Sequence, residues 1–464
     1  MTLPINAPAE SRASSVFYRE PLHDYPRIVH SEGVYLRDSE GRQYLDGSGG
    51  AAVSAVGHGH PRVIAAVQDQ LARCAFAHTL FFTNEPQEQL ADILRQRFGD
   101  PAARVYFVSG GSEANETALK LARQYWVARG VASKHLFVSR RRSYHGNTLG
   151  ALALSGNPGR RALYAPLLAD WPKVDDCYAY REQGDGETDA DYAERAAASL
   201  DTAIATHGAE NIAAFVAETV VGATLGVVPP AGDYLARIRA ICDRHDILLI
   251  LDEVMAGSGR CGRHFAFEDD GIRPDIVTLG KGLTGGYQPL GATIASGAVH
   301  DTVVAAHGAF AHGHTWVGHA TACAAGVAVA GVVDDERLLE NARAVGTELR
   351  RELRAALRDH PHVGDVRGRG LFTGIELVVD RDTRTPPPGA LGLPARLRQQ
   401  AMDNGLVCYP GGGGVDGRNG AHILLAPPLI YQLTHVDELV SRLLRTLDGL
   451  AIPDVAPNNP EAIA

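Results

Sequence analysis

Of the 44 basic residues in this chain, four are lysine: Lys120, Lys134, Lys173 and Lys281. Arginine has no primary amine to offer a carbonyl carbon, so Schiff-base chemistry has only these four candidates. Lys281 stands apart. It follows the apolar run Ile276-Val277-Thr278-Leu279 and lies between Gly280 and Gly282. A lysine at the end of a buried strand loses solvation, which lowers its pKa toward the range where the neutral amine is available. Lys120 falls within a helical pattern, and Lys134 and Lys173 in polar connecting stretches, where they read as structural or solvated.

Two further features suit the same chemistry. The run Ile247-Leu248-Leu249-Ile250-Leu251 delivers Asp252-Glu253 to a strand end. A buried carboxylate needs a compensating partner, and the N–H of a pyridinium ring is one; an aspartate capping a loop is the plainer reading. Val254, next but one, is placed to pack on a ring face. Ser109-Gly110-Gly111-Ser112 follows the strand Arg104–Val108 and leads into a helix over Glu113–Arg129. Glycines there let backbone N–H groups approach a phosphate, Ser112 adds a hydroxyl, and the helix N-terminus favours an anion. The same turn also serves as a simple helix cap. Tyr144-His145-Gly146, after the next strand, sets an aromatic ring and an imidazole at the same edge. His307, His312, His314 and His319 cluster in sequence, but no carboxylate or cysteine joins them at ligand spacing, so no metal is expected.

The elements that must position these residues form an alternating pattern. Strand-like runs at Arg104–Val108, His135–Val138, Ala213–Ala217, Ile247–Leu251, Ile276–Leu279 and Leu290–Ala295 are separated by helical stretches such as Tyr234–His245. This predicts an α/β fold with a mostly parallel sheet, in which ligands gather at the carboxyl ends of strands. The sequence divides into an N-terminal segment (1–60) with a hairpin at Val34–Asp38 and Gln43–Asp46, a large domain (61–325), and a smaller α+β C-terminal domain (326–464). In the last, Leu338–Asp359 and Val436–Leu450 read as helices, Leu371–Val379 as a strand, Gly411–Gly414 as a loop and the residues from Pro453 as a frayed tail.

Composition narrows the class. With 45% hydrophobic and 21% charged residues the chain can bury a large core, and a net charge of −10 without a basic tract gives no case for nucleic acid or anionic lipid. Met1–Ala13 lacks the pattern of a signal peptide, no apolar run is long enough to span a bilayer, and the six scattered cysteines fit a reducing cytoplasm.

Taken together, Asp46-Gly47-Ser48-Gly49-Gly50, Gly57-His58-Gly59-His60-Pro61, Ser112-Glu113-Ala114-Asn115-Glu116-Thr117-Ala118-Leu119-Lys120, Tyr144-His145-Gly146, Asp252-Glu253-Val254 and Gly280-Lys281-Gly282 resemble the class III aminotransferases, fold type I enzymes dependent on pyridoxal 5'-phosphate. The resemblance covers nearly the whole chain. It implies that Lys281 forms the Schiff base and shuttles the proton, and that Asp252 pairs with the pyridine nitrogen. It further implies that Tyr144 stacks on the ring, that His145, Glu218 and Val254 lie near the cofactor, and that Gly111 and Ser112 bind its phosphate. Thr315 would reach across from a second subunit, making a homodimer with shared sites. The reaction implied is transfer of an amino group from an amine or ω-amino acid to a keto acid such as pyruvate.

Departures from the family pattern bear on substrate. Asn147 stands where relatives acting on ornithine-type substrates carry an arginine, Met255 replaces a common glutamine, as in the ω-aminotransferase-like branch, and Thr219 replaces a proline after Glu218. Phe81 and Phe82 resemble the aromatics of that branch's amine pocket. Tyr409 occupies the place of a mobile carboxylate-binding arginine, with Arg418 in the following glycine loop as its candidate substitute. Competing readings are another reaction of the same cofactor (decarboxylation, aminomutation, racemisation or elimination) or a binding protein that kept the fold.

Overall fold

The computed structural model describes residues 14–21 and 23–453; the readings made for Met1–Ala13 and for the tail beyond Pro453 lie outside the described residues. The centre is a seven-stranded sheet of β1 (Arg104–Val108), β2 (Leu136–Arg140), β3 (Lys173–Val174), β4 (Ile212–Glu218), β5 (Leu248–Asp252), β6 (Ile276–Leu279) and β7 (Gly291–Ala295), in the order β1-β7-β6-β5-β4-β2-β3. Every residue of β4, β5 and β6 is buried. Helices cover both faces, which is why these strands read as unbroken apolar runs rather than alternating ones. One covering helix, Gly111–Ala128, buries Ala114, Ala118, Leu121, Ala122 and Trp126 against the sheet, and the Trp126 indole donates to the Ala213 carbonyl at 2.8 Å.

One strand departs from the parallel pattern. β7 runs antiparallel to both β1 and β6. A parallel return needs a crossover of roughly a dozen residues or more, usually a helix, and the stretch 280–290 is spent on the turn that carries Lys281.

The expected hairpin is present as Tyr35–Asp38 and Gln43–Asp46, with the buried Asp38 carboxylate accepting from the backbone of Glu40 and Arg42 inside the turn. This sheet also takes in Ile28–Glu32 and, in parallel with Gln43–Asp46, Leu406–Val407 from far along the chain. A third sheet, entirely antiparallel, is ordered Val363–Arg369, Phe372–Leu377, Ala421–Leu425, Tyr409–Gly412. Gly411 and Gly412, read from sequence as loop, are therefore ladder residues, paired with His422 and Ala421. Leu338–Ala356 and Leu433–Asp448 supply the helices. Arg367 of this sheet is buried and donates to the Leu225 and Val227 carbonyls at 2.6 and 3.1 Å and to Glu376 at 2.7 Å, fastening it to the segment after β4. Among the described residues no helix is long and apolar enough to cross a membrane.

Candidate active site

Parallel register sets Glu218, Asp252 and Thr278 side by side at the carboxyl ends of β4, β5 and β6. Lys281 is one turn beyond, with its φ at +45°. A side chain in this left-handed region costs about 1–2 kcal/mol, a strain held here by the packed strand before it. Gly111 lies across from the same strand end: a Cβ on it would come within 2.7 Å of Val254 Cγ1, so only glycine lets the loop after β1 approach this closely.

These elements enclose a cavity of about 280 Å³ whose wall includes Lys281, Asp252, Tyr144, Ser112, Tyr409 and Arg160. Burial brings the Lys281 ammonium down to about 8, against the opposing pull of the Asp252 and Glu218 carboxylates. Its amine is thus far more available near neutrality than an exposed lysine's.

Asp252 is held from three directions. Its Oδ2 faces His145 Nδ1 at 2.9 Å and accepts from Asn115 Nδ2 at 2.8 Å, while Oδ1 accepts from the Val254 N–H at 3.0 Å. A carboxylate acceptor selects the tautomer of His145 with the proton on Nδ1. Asn115 is fixed in turn, accepting from Thr278 Oγ1 at 3.0 Å and donating to the His145 carbonyl at 2.6 Å. A carboxylate oriented this way can receive one more donor from the cavity, as a ring N–H would supply.

The Ser112 hydroxyl accepts from the Asn147 N–H at 3.0 Å, leaving its proton to donate. Glu113 Oε2 accepts from the Ser109 N–H at 2.8 Å, and Gly111 and Ser112 lie at the helix N-terminus that borders the cavity. Glu218 accepts from the N–H groups of Tyr144 and Gly222, each at 3.0 Å, and burial raises its pKa. Burial likewise raises the Tyr144 phenol.

Gly111, Ser112, Tyr144, His145, Glu218, Asp252, Val254, Lys281 and Tyr409 all border this one cavity. Phe81 and Phe82 do not; they are 72% and 66% exposed on a separate loop. Thr315 is likewise exposed, on the loop that presents Trp316. Arg418 borders a different cavity, beside Pro387, Pro388 and Gly389, because Asp416 Oδ1 takes its backbone N–H at 2.8 Å and turns the loop away.

Asn115 and Arg160 were not singled out from sequence. Asn115 carried a signal, as a polar residue on the buried apolar stripe of its helix; Arg160, in a short turn, carried none. The other lysines have structural roles: Lys134 Nζ donates to the carbonyls of Ala209, Ile212 and Asp246, and Lys173 Nζ to those of Ala153 and Trp171. Both are more enclosed than polar connecting stretches suggest. Lys120 is exposed. His312 faces Thr117 Oγ1 at 2.9 Å, and among the described residues no group of three or more His, Cys, Asp or Glu is placed to hold a metal ion.

A strand-end Lys and Asp beside a glycine loop at a helix N-terminus is the arrangement that the sequence resemblance implied, and comparison with known proteins decides the family. The model of aminotransferase class-III matches residues 19–447. The chain belongs to this family. An uncharacterized aminotransferase of Schizosaccharomyces pombe is 39% identical over 93% of this chain and 94% of its own length. An (S)-enantioselective omega-transaminase from Thermomicrobium roseum superimposes with a TM-score of 0.88 at 36% identity, covering 94% of this chain and 96% of that one. The Pseudomonas jessenii omega transaminase, solved in complex with PMP, gives 0.85 at 33% identity, over 91% and 92%. This class III aminotransferase is accordingly a fold type I transaminase dependent on pyridoxal 5'-phosphate.

Proposed function

We propose that this aminotransferase moves an amino group from an amine or ω-amino acid to a keto acid such as pyruvate, with Lys281 as its catalytic lysine. The observation that carries the reading is the convergence of the Lys281 amine, the thrice-held Asp252 carboxylate and the Gly111–Ser112 helix terminus on one cavity. Pyridoxal phosphate supplies an aldehyde that binds the amine nitrogen and a ring that takes up the electrons of the adjacent carbon–hydrogen bond. The chain's residues fit each part of that group. Gly111 and Ser112 offer donors to the phosphate at a helix N-terminus. Asp252 holds a proton on the ring nitrogen, and His145 and Asn115 hold Asp252. Tyr144 and Val254 offer surfaces to the two ring faces, and Glu218 orders the Tyr144 backbone. Lys281, returned to its neutral amine, moves the proton off the substrate carbon and back.

The test is a half-reaction panel. Mixing the cofactor-loaded enzyme with diverse amines and amino acids is expected to convert the bound cofactor to its aminated form, and pyruvate or another keto acid to reverse it. Release of carbon dioxide or ammonia without that exchange would move the protein to a decarboxylase or lyase reading.

The depressed Lys281 amine makes a second expectation. Cofactor uptake by the apo protein should rise with pH through about 8 and level off above it, because the neutral amine is the reactive form. Uptake that continues to climb toward pH 10 would show an ordinary lysine instead. A third concerns the phosphate loop: Gly146 has φ +137°, and a Cβ there would meet Ser112 Oγ at 2.6 Å. Gly146→Ala is expected to weaken cofactor binding about 10- to 100-fold, the equivalent of about 1–3 kcal/mol of strain at the loop. Equilibrium titration of the apo variant measures it.

Thr315, Phe81 and Phe82 take their roles in a homodimer on this reading. Phe76, Leu80, Phe81, Phe82 and Trp316 are all exposed, with the Phe76 and Trp316 rings 5.1 Å apart, an apolar surface that a second copy would cover. Thr315 then reaches the partner's cofactor and the two phenylalanines its amine pocket. Sedimentation of the loaded enzyme tests the assembly. The segments 1–60, 61–325 and 326–464 are read as N-terminal segment, large domain and small domain, with Leu406–Val407 tying the last to the first. Six free cysteines accord with a cytoplasmic setting.

A further inference from the structure

We infer that Arg160 is the carboxylate anchor of the Lys281 cavity, the residue that receives the carboxylate of the keto acid and of amino-acid donors. The inference rests on the transaminase reading above, and four observations carry it.

Arg160 borders the same cavity as Lys281 while remaining exposed, which places it at the mouth where a substrate enters. Its guanidinium lies 4.7 Å from the centre of the Tyr144 ring. A guanidinium held over a ring face spends none of its N–H groups on that contact and leaves them open to a carboxylate, which accepts them in pairs. Among the described residues no carboxylate lies within ion-pair distance of it. Its charge also bears on both Lys281 and Tyr144, opposing protonation of the first and favouring ionisation of the second, so it is electrically part of the site.

The local chain holds it there. Asn157, almost fully buried, accepts the Arg160 N–H on its side-chain oxygen at 3.1 Å, and Pro158 starts the turn. Gly159 lies against the Gly417 carbonyl, where a Cβ would approach within 2.5 Å. The glycine loop that carries Arg418 therefore serves the site by seating the turn of Arg160, while Arg418 itself faces elsewhere. Other nearby arginines are spent: Arg142 pairs with Asp176 and Glu182, and Arg140 and Arg260 are buried and donate to backbone carbonyls. Arg19 is the other arginine at this cavity, carried by an N-terminal segment that Glu20 pins to Arg398 at 3.0 Å.

The experiment compares the holoenzyme with Arg160→Gln and Arg160→Lys. One arm measures the dissociation constant of propionate, an unreactive carboxylate, by calorimetry; the other measures half-reaction KM values for pyruvate, alanine and a primary amine without a carboxylate. Arg160→Gln is expected to weaken propionate and pyruvate about 10- to 100-fold, and at least about tenfold more than it weakens the amine, with Arg160→Lys intermediate. Propionate bound by Arg160→Gln as tightly as by the parent, or amine and carboxylate weakened alike, would overturn the inference. A parent holoenzyme that converts no amine would instead defeat the transaminase reading, with the propionate arm still judging Arg160.

Discussion

Replacing Lys281 by alanine is expected to abolish both halves of amino transfer, a fall in kcat on the order of 10⁵-fold. The size follows from what remains in the cavity. The ammonium groups of Lys134 and Lys173 are tied to carbonyls away from the site, and Lys120 is an exposed helix residue outside the cavity wall. Asp252, Glu218 and Tyr144 are titratable groups of the same cavity wall, and Asp252 is committed to His145, Asn115 and the Val254 N–H. Glu218 is committed to the Tyr144 and Gly222 N–H groups, and burial raises the Tyr144 phenol, which holds its proton too firmly to act as the base near neutrality. No side chain on the cavity wall can therefore replace the primary amine in both of its tasks. The check is the absorbance of the bound cofactor on mixing with donor, alongside the melting temperature of the apo variant. Alanine inherits the same left-handed backbone and removes a buried amine, so no loss of apo stability is expected. Partial recovery of turnover on adding a small primary amine would locate the defect in the missing group. Undiminished turnover would sink the assignment of Lys281.

The sequence made the sheet and the strand-end residues legible for one physical reason. Strands buried on both faces are continuous apolar runs, so a polar residue ending such a run is conspicuous; Asp252 and Lys281 were visible on that ground, whereas the register that sets Asp252 beside Glu218 was not. What stayed illegible depends on side-chain direction and on short turns. Helix Gly111–Ala128 starts two residues earlier than its apolar period suggests, because glycine and serine in the first turn carry no periodic signal. Asn115 sits in plain view within the helix, yet only three-dimensional packing brings it to Asp252. Arg160 lies in a four-residue turn whose position is set by Gly417, more than two hundred residues away in the chain. Arg418 looked suitable by its place in the sequence, but the Asp416 turn directs it to another surface. The reversal of β7 is the consequence of a short connection, a constraint that strand propensity does not express.

Asp252→Asn is expected to lower kcat for both half-reactions on the order of 10³-fold, while leaving the relative KM values of amines and carboxylate substrates close to those of the parent. The substitution keeps the size of the side chain and removes its charge. In the parent, Oδ2 meets His145 Nδ1 and Asn115 Nδ2 and Oδ1 meets the Val254 N–H, so both oxygens act as acceptors. An asparagine must place its NH₂ on one of those positions. It then sets donor against donor: toward Val254, against a backbone N–H that cannot turn; toward Asn115, against an amide already committed to Thr278 and the His145 carbonyl. The His145 ring can accommodate the change by moving its proton to Nε2, which has no partner in the parent, but the negative charge that would keep a proton on the cofactor's ring nitrogen is gone whichever way the amide lies. The variant should therefore still take up cofactor through Lys281 and show a shifted absorbance, but turn over slowly with every donor. That uniform loss separates Asp252 from Arg160, whose replacement is expected to discriminate between substrates with and without a carboxylate. Parent-like kcat in Asp252→Asn would show that the carboxylate serves only to cap its loop.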